Sequence, residues 1–278
     1  MAIVGAGSLA RFLAPALRES DYTVTEIISQ SSPRSLRRAR TLASKVGAQG
    51  ATAQTAVLEA ELLWFCVPDR AIREAASSLA TRAKGKPHFA FHSSGALLSG
   101  ELESLRKASA ATASVHPLMT FVPDSRPSLA GVPFALEGDA MATRLARRIV
   151  RDLGGASFEV PASRKAAYHA WATLTSPLWL AFLVTLEEAA CAAGPARSDA
   201  RRMSLPIIRQ TLENYSRLGP ERSFSGPIIR GDVATVAKHM AVLKKRPPVR
   251  DVYVALALAA LDWLPAKNRK ELRRLLQS

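Results

Sequence analysis

Met1-Ala2-Ile3-Val4-Gly5-Ala6-Gly7-Ser8-Leu9-Ala10 opens the chain, and the reading of this stretch decides the fold. A short apolar run ends at Val4, two glycines follow, and a helical pattern begins at Ser8 and runs to Glu19. Gly5 to Ala10 fits the G-x-G-x-x-G/A fingerprint in the context that motif needs, after a strand and at the opening of a helix. Gly5 permits the tight turn, and Gly7 lets backbone approach a pyrophosphate. Ala10 allows close helix–strand packing. The free N–H groups around Ala6, Ser8 and Leu9, with the dipole of the new helix, would face the anion. A glycine motif alone is weak, so the surrounding pattern has to carry it.

That pattern alternates short apolar runs with helical periodicity, the signature of βαβ units around a parallel sheet. Strands are expected at Met1 to Val4, Thr23 to Ser29, Leu62 to Val67, His88 to His92, Ala111 to Val115, Val132 to Leu136 and Ser157 to Val160. Helices are expected at Ser8 to Glu19, Ser35 to Val46, Asp69 to Arg82 and Ala140 to Leu153. After Pro161 no strand pattern remains. Long helical patterns are broken at Gly194-Pro195, Gly219-Pro220, Gly226-Pro227 and Pro247-Pro248. The chain therefore reads as an α/β domain with a parallel-rich sheet over residues 1–160, followed by an all-α domain over 161–278. Ser163 and Asp232 are the expected caps of two of the later helices.

The tip of the second strand selects the cofactor. An NAD site places an acid there to bond the ribose 2′-hydroxyl. Here the tip reads Ile27-Ile28-Ser29-Gln30-Ser31-Ser32-Pro33-Arg34, and Glu26 comes three residues too early. Ser29, Ser31 and the always-charged Arg34 suit a 2′-phosphate, so NADP(H) is expected over NAD(H). A polar turn and helix cap would use the same residue types. Val67-Pro68-Asp69 and His92-Ser93-Ser94-Gly95 end two further strands and should border the cofactor, because ligands in an open parallel sheet lie beyond the strands' carboxyl ends.

His116 ends another strand, where it would either point into the same cleft or bond a loop carbonyl. Lys165, His169, Thr173 and Ser176 fall within one narrow arc of a helix, a polar stripe on an otherwise apolar surface. The stripe reads as a cleft wall, with His169, and Lys165 as a second candidate beside it, exchanging a proton and Thr173 and Ser176 holding substrate. It would equally line a wet seam between domains. Pro177 should kink this helix by crowding the Thr173 carbonyl. Arg230, in the loop Ser225 to Asp232, is a candidate to hold an anionic group.

The chain has 278 residues, 48% hydrophobic and 22% charged, which excludes disorder and a disulfide scaffold. Its two cysteines, Cys66 and Cys191, lack metal-ligand spacing, and no metal is expected. With 38 Lys+Arg against 23 Asp+Glu, the formal charge is +15, which favours anionic partners. No nucleic-acid reading motif accompanies it, so nucleic acid is not expected as a partner. Ala166 to Leu186 carries no formal charge but holds His169, Thr173, Thr175, Ser176 and Pro177, and reads as a buried helix, not a membrane span. No secretory signal pattern is visible, and a cytoplasmic location is expected.

Taken together, several segments resemble one family: Gly5 to Ala10, Val67-Pro68-Asp69, His92 to Gly95, Ser114-Val115-His116-Pro117-Leu118, Tyr168-His169-Ala170, Thr211-Leu212-Glu213-Asn214 and Gly226 to Asp232. They resemble the Rossmann-like oxidoreductases that carry domain of unknown function 2520. These lie within the 6-phosphogluconate dehydrogenase-like group and are distantly similar to pyrroline-5-carboxylate reductase and deazaflavin-dependent NADP oxidoreductase. The resemblance implies NADP(H) at the first domain, a homodimer built through the helical domain, and a small-molecule substrate in a cleft between domains. The expected activity is hydride transfer between the nicotinamide and a small carbonyl or imine. Where relatives tend to have Ser-Asn, this chain has Ser176-Pro177, which motivates an alternative: a non-catalytic NADP(H)-binding sensor or dimeric interaction protein.

Overall fold

The computed structural model describes residues 1–83, 87–125 and 128–278. Two compact units divide them, Met1–Leu174 and Thr175–Ser278. The first begins β1 (Ala2–Val4), α1 (Ser8–Glu19), β2 (Glu26–Ser29), α2 (Pro33–Val46), β3 (Gln49–Thr52), β4 (Leu62–Phe65), α3 (Asp69–Ala80) and β5 (Phe89–His92). A 3-10 turn (Ser99–Leu102) leads into α4 (Glu103–Lys107). Then come β6 (Ala111–Pro117), β7 (Pro133–Gly138), α5 (Ala140–Asp152) and β8 (Ala156–Glu159).

These strands form one eight-stranded sheet in the order β3-β2-β1-β4-β5-β6-β7-β8. The first six are mutually parallel; β7 pairs antiparallel with β6 and parallel with β8. β4 reads Leu62-Leu63-Trp64-Phe65 and is buried at every position, because helices cover both faces of a central parallel strand. Apolar clusters fill those two faces: Ile3, Leu13, Trp64 and Phe91 share one, and Val4, Phe65, Ile72 and Leu79 the other. Each large side chain so buried contributes about 1.5–3 kcal/mol. The chain winds outward from β1 to β3 and then returns to β4, so the switch point of the sheet lies between β1 and β4.

The α/β-then-helical order expected from the sequence is the observed one. β3 is an addition. Gln49-Gly50-Ala51-Thr52 has no apolar run to announce a strand, and it forms because the free edge of β2 offers it a full parallel register. The first unit also continues beyond Pro161, because Lys165 and Tyr168 on α6 (Lys165–Thr175) are buried within it.

Three local expectations are corrected. Ser163 caps no helix: it lies inside a 3-10 turn, Ala162–Arg164, that leads directly into α6. Pro177 does not kink a continuous helix. The helix stops, Ser176 takes φ −127° and ψ −70°, and Pro177 starts α7 (Pro177–Cys191) at its first position. The residue before a proline is driven from helical backbone, and a proline's missing N–H costs nothing at a helix start. Nor is α7 a buried helix, since none of its residues is buried. The stretch Ala162–Cys191 is long and apolar enough to cross a membrane by length and composition. Periodicity reports which side chains are apolar, not what covers them.

The second unit continues with α8 (Arg197–Leu218), α9 (Pro220–Ser223), α10 (Pro227–Arg230), α11 (Val233–Leu243), α12 (Pro247–Trp263) and α13 (Arg269–Gln277). Its core gathers Val236 and Met240 of α11, Ala257 and Leu261 of α12, and Leu272 and Leu276 of α13. Asp232 caps α11 as expected, accepting from Thr235 N at 2.9 Å and Thr235 Oγ1 at 2.7 Å.

Candidate active site

The β1–α1 turn is built for close approach. Gly5 sits at φ +111°, where a Cβ would lie 2.5 Å from the Cys66 carbonyl oxygen, so only glycine fits. Gly7 is exposed, and its nearest neighbour to an added Cβ is the same oxygen at 3.6 Å. Ala10 is fully buried against the sheet. α1 has no acidic residue in its first turn and no side-chain cap on its amides. The N–H groups that begin a helix need an acceptor, and here they suit an anionic diphosphate.

At the tip of β2, Ser29 Oγ donates to the Gln30 carbonyl at 3.1 Å, and Ser31 Oγ to Gln54 Oε1 at 3.5 Å. Arg34 stands exposed in the first turn of α2 and forms no ion pair with the described residues. Glu26 is accounted for otherwise: it is buried, and its carboxylate accepts from Val57 N at 2.8 Å and Leu58 N at 3.1 Å. The strand-tip chemistry therefore fits a phosphorylated ribose. Val67, Pro68 and Asp69 link β4 to α3, and Ser93, Ser94 and Gly95 follow β5, all at carboxyl ends of parallel strands.

Several of these polar groups are already engaged. Ser94 Oγ donates to Asp69 Oδ2 at 2.8 Å and accepts from Ala96 N and Leu97 N at 3.2 and 3.0 Å. Ser94 thus staples its loop to α3. Ser93 Oγ accepts from Trp64 Nε1 at 2.9 Å. His92 is fully buried, its Nδ1 accepting from Ser94 N and its Nε2 donating to the Leu98 carbonyl, so this histidine is structural. Burial holds its pKa below the usual range.

The remaining loop residue, Gly95, is where the site closes. A Cβ there would lie 2.9 Å from His116 Nε2 and 2.9 Å from His169 Cδ2. Two imidazoles, one from β6 and one from α6, thus converge on a backbone that has no side chain. Sequence reasoning named both histidines but could not show that they meet. His169 is exposed, and its ring has no hydrogen-bond partner among the described residues. His116 is held by Tyr168, whose hydroxyl lies 2.5 Å from Nδ1, the two rings edge to face at 5.6 Å. Burial pushes the His116 pKa down to about 4, helped by the neighbouring positive charges of Lys165, His169 and His92.

Lys165 is 2% exposed, and its Nζ donates to Ser114 Oγ at 2.7 Å; Ser114 in turn donates to the Ser94 carbonyl at 2.9 Å. Burial draws the amine down to about 8, while Glu137 and Asp69 pull the other way. Burial also lifts Tyr168 to about 12.

Among the substrate candidates, the Thr173 hydroxyl bonds back to the His169 carbonyl at 2.8 Å within α6. Ser176 and Arg230 belong to the second unit. Ser114 and Tyr168 received no individual role from the sequence, because they meet Lys165 and His116 across 51 and 52 residues. One signal was available: Tyr168 lies three residues after Lys165, on the same helical face.

Comparison with known proteins gives similarities for two parts of the chain and for its fold. Residues 1–87 match the family described as NADP oxidoreductase coenzyme F420-dependent, and residues 132–260 match domain of unknown function DUF2520. No curated protein matches the chain in sequence. Among solved structures, a protein of Thermotoga maritima is 25% identical with TM-score 0.73, the match covering 99% of this chain and 98% of that one. A candidate NADP oxidoreductase of Bacteroides fragilis is 20% identical with TM-score 0.73, covering 93% and 96% of the two chains. An imine reductase of Myxococcus stipitatus in complex with NADP+ is 14% identical with TM-score 0.64, covering 100% and 99%. The last two are likenesses of fold. The chain is thus similar over residues 1–87 to the NADP oxidoreductase family and over residues 132–260 to domain of unknown function DUF2520.

Proposed function

We propose that this protein is an NADP(H)-dependent oxidoreductase acting on a small carbonyl or imine compound in the cytoplasm. The observation that carries the proposal is the convergence of His116 and His169 on Gly95, at the carboxyl end of the parallel strands, which also bears the β1–α1 turn. The Gly5–Leu9 turn would hold the diphosphate, and Ser29, Ser31 and Arg34 the 2′-phosphate. Val67 to Asp69 and Ser93 would flank the rest of the cofactor. Bound NADPH would supply hydride to the substrate carbon.

The chain's own residues do the remainder. His169, exposed and without a hydrogen-bond partner among the described residues, would give the proton to the substrate oxygen or nitrogen, while the hydride that bound NADPH would supply goes to the carbon. His116 faces the same point. Lys165 is buried against Ser114, so it sets the local field and orders the Ser94 loop without touching substrate.

A panel of aldehydes, ketones and cyclic imines, followed by loss of reduced-nicotinamide absorbance, tests this reading. Turnover of at least one member is expected, falling about 10²- to 10⁴-fold in His169→Ala, the range general acid–base catalysis contributes. Tight NADPH binding with no turnover would instead favour the non-catalytic sensor reading that Ser176-Pro177 motivates.

We also propose that a second copy of this chain covers the apolar surface of the helical unit. Leu178, Leu180 and Val184 of α7 and Ile207 and Leu212 of α8 are 45–69% exposed in the single chain. The ion pairs of Glu187 with Arg201 and of Glu188 with Arg197 stud the same pair of helices, which suits a protein partner better than hydrocarbon.

A further inference from the structure

We infer that His116, positioned by Tyr168, presents an Nε2–H donor to the reacting heteroatom, so that the site takes a carbonyl group and not an iminium ion. This rests on the oxidoreductase reading above.

The tautomer follows from bond accounting. Tyr168 is 6% exposed, and among the described residues its hydroxyl has one hydrogen-bond partner, His116 Nδ1 at 2.5 Å. A buried hydroxyl proton requires an acceptor. Were Nδ1 the donor, the phenolic proton would have none, so the O–H donates and Nδ1 accepts. A neutral imidazole with an accepting Nδ1 carries its proton on Nε2. Nε2 has no partner among the described residues and faces the open backbone of Gly95. The edge-to-face contact with Tyr168 fixes the ring plane in that direction.

The surroundings keep the imidazole neutral. Among the described residues, the titratable groups facing it are Lys165, Tyr168 and His169 from α6 and His92 from β5, with no carboxylate among them. An imidazole so placed is a poor base near neutrality and a serviceable hydrogen-bond donor. A carbonyl oxygen accepts such a bond, and does so more strongly as negative charge develops on it during reduction. An iminium nitrogen instead carries its own N–H and a positive charge. It would meet donor against donor beside the Lys165 ammonium.

Ring nitrogen-15 spectra of the unliganded full chain test the assignment, with His116→Ala identifying the resonances. The wild type should show a protonated Nε2 and an unprotonated Nδ1, the latter displaced upfield by its hydrogen bond. Tyr168→Phe should move Nδ1 downfield to the unbonded position. A protonated Nδ1 in the wild type overturns the assignment, and so does an unmoved Nδ1 in Tyr168→Phe. The wild-type spectrum decides by itself if that variant does not fold.

Turnover tests the role. Because an amide can donate but cannot act as a base, kcat of His116→Gln should stay within about tenfold of wild type while His116→Ala falls about 10²- to 10³-fold with little change in KM. Equal losses in the two variants overturn the donor role. Reduction of a cyclic iminium as readily as of a matched ketone overturns the carbonyl preference. Nε2–H without any turnover overturns the oxidoreductase reading and leaves the Tyr168–His116 bond standing, so the two failures are distinguishable.

Discussion

Lys165 is a buried amine whose one hydrogen bond among the described residues goes to a hydroxyl, with no carboxylate of those residues within ion-pairing distance. Its pKa falls from an ordinary 10.5 to about 8 because burial disfavours the charged form. The consequence for stability has a definite sign. Below pH 8 the lysine is charged in both folded and unfolded chains, and folding bears the full penalty. Between pH 8 and 10.5 the folded form sheds its proton first, and the penalty fades. Lys165→Met should therefore stabilise the protein by roughly 3 kcal/mol at pH 7 and by much less at pH 10, the pKa gap being worth about 1.4 kcal/mol per unit. Denaturant melts of both proteins at the two pH values measure this; a difference that does not shrink with pH contradicts the assignment. The same group raises the electrostatic cost of charging His116, which links the stability measurement to the chemistry of the site.

Between β1 and α1, the two glycines have separable tasks. Gly5 answers to the fold: a side chain there meets the Cys66 carbonyl at 2.5 Å in a backbone conformation that L-residues avoid. Gly5→Ala should cost about 2–4 kcal/mol, read as a drop in melting temperature. Gly7 answers to the ligand: its backbone is extended, and an added Cβ makes only an ordinary contact at 3.6 Å. Gly7→Ala should melt near wild type yet bind NADPH at least about tenfold more weakly, because the methyl occupies the approach to the helix N-terminus. In the same calorimetric titrations, Arg34→Ala should weaken NADPH far more than NADH. Equal losses for both nucleotides would remove Arg34 from the 2′-phosphate.

At the scale of the whole molecule, the helical unit leaves large apolar side chains uncovered, Leu180 at 62% and Ile207 at 69% among them. The proposed dimer accounts for them. Sedimentation should give twice the chain mass, and the double variant Leu180→Glu/Ile207→Glu should sediment as a monomer. Loss of two apolar contacts worth about 1.5–3 kcal/mol each weakens association by about 10²-fold or more. A monomeric wild type that partitions onto lipid vesicles would contradict the dimer. The +15 charge is dispersed over exposed arginines of both units, many in ion pairs such as Arg73–Glu101 and Arg201–Glu187.

Local chemistry was enough to make the βαβ half legible. Val4-Gly5 must turn, Leu62 to Phe65 must lie in the middle of a sheet, and no acid at the tip of β2 offers itself to a ribose hydroxyl. Each is a property of neighbours along the chain. β3, the break at Ser176 and the exposure of α7 were not legible, because they depend on a free strand edge, on which backbone conformation wins beside a proline, and on what covers an apolar face. The candidate site lies between these cases. Its histidines and lysine are visible as residue types, but their meeting at Gly95 and the Tyr168 and Ser114 hydrogen bonds join segments some fifty residues apart. Only packing of α6 against β6 brings such groups within bonding distance, because a hydrogen bond acts over about 3 Å and sequence spacing carries no record of which strand a helix will reach.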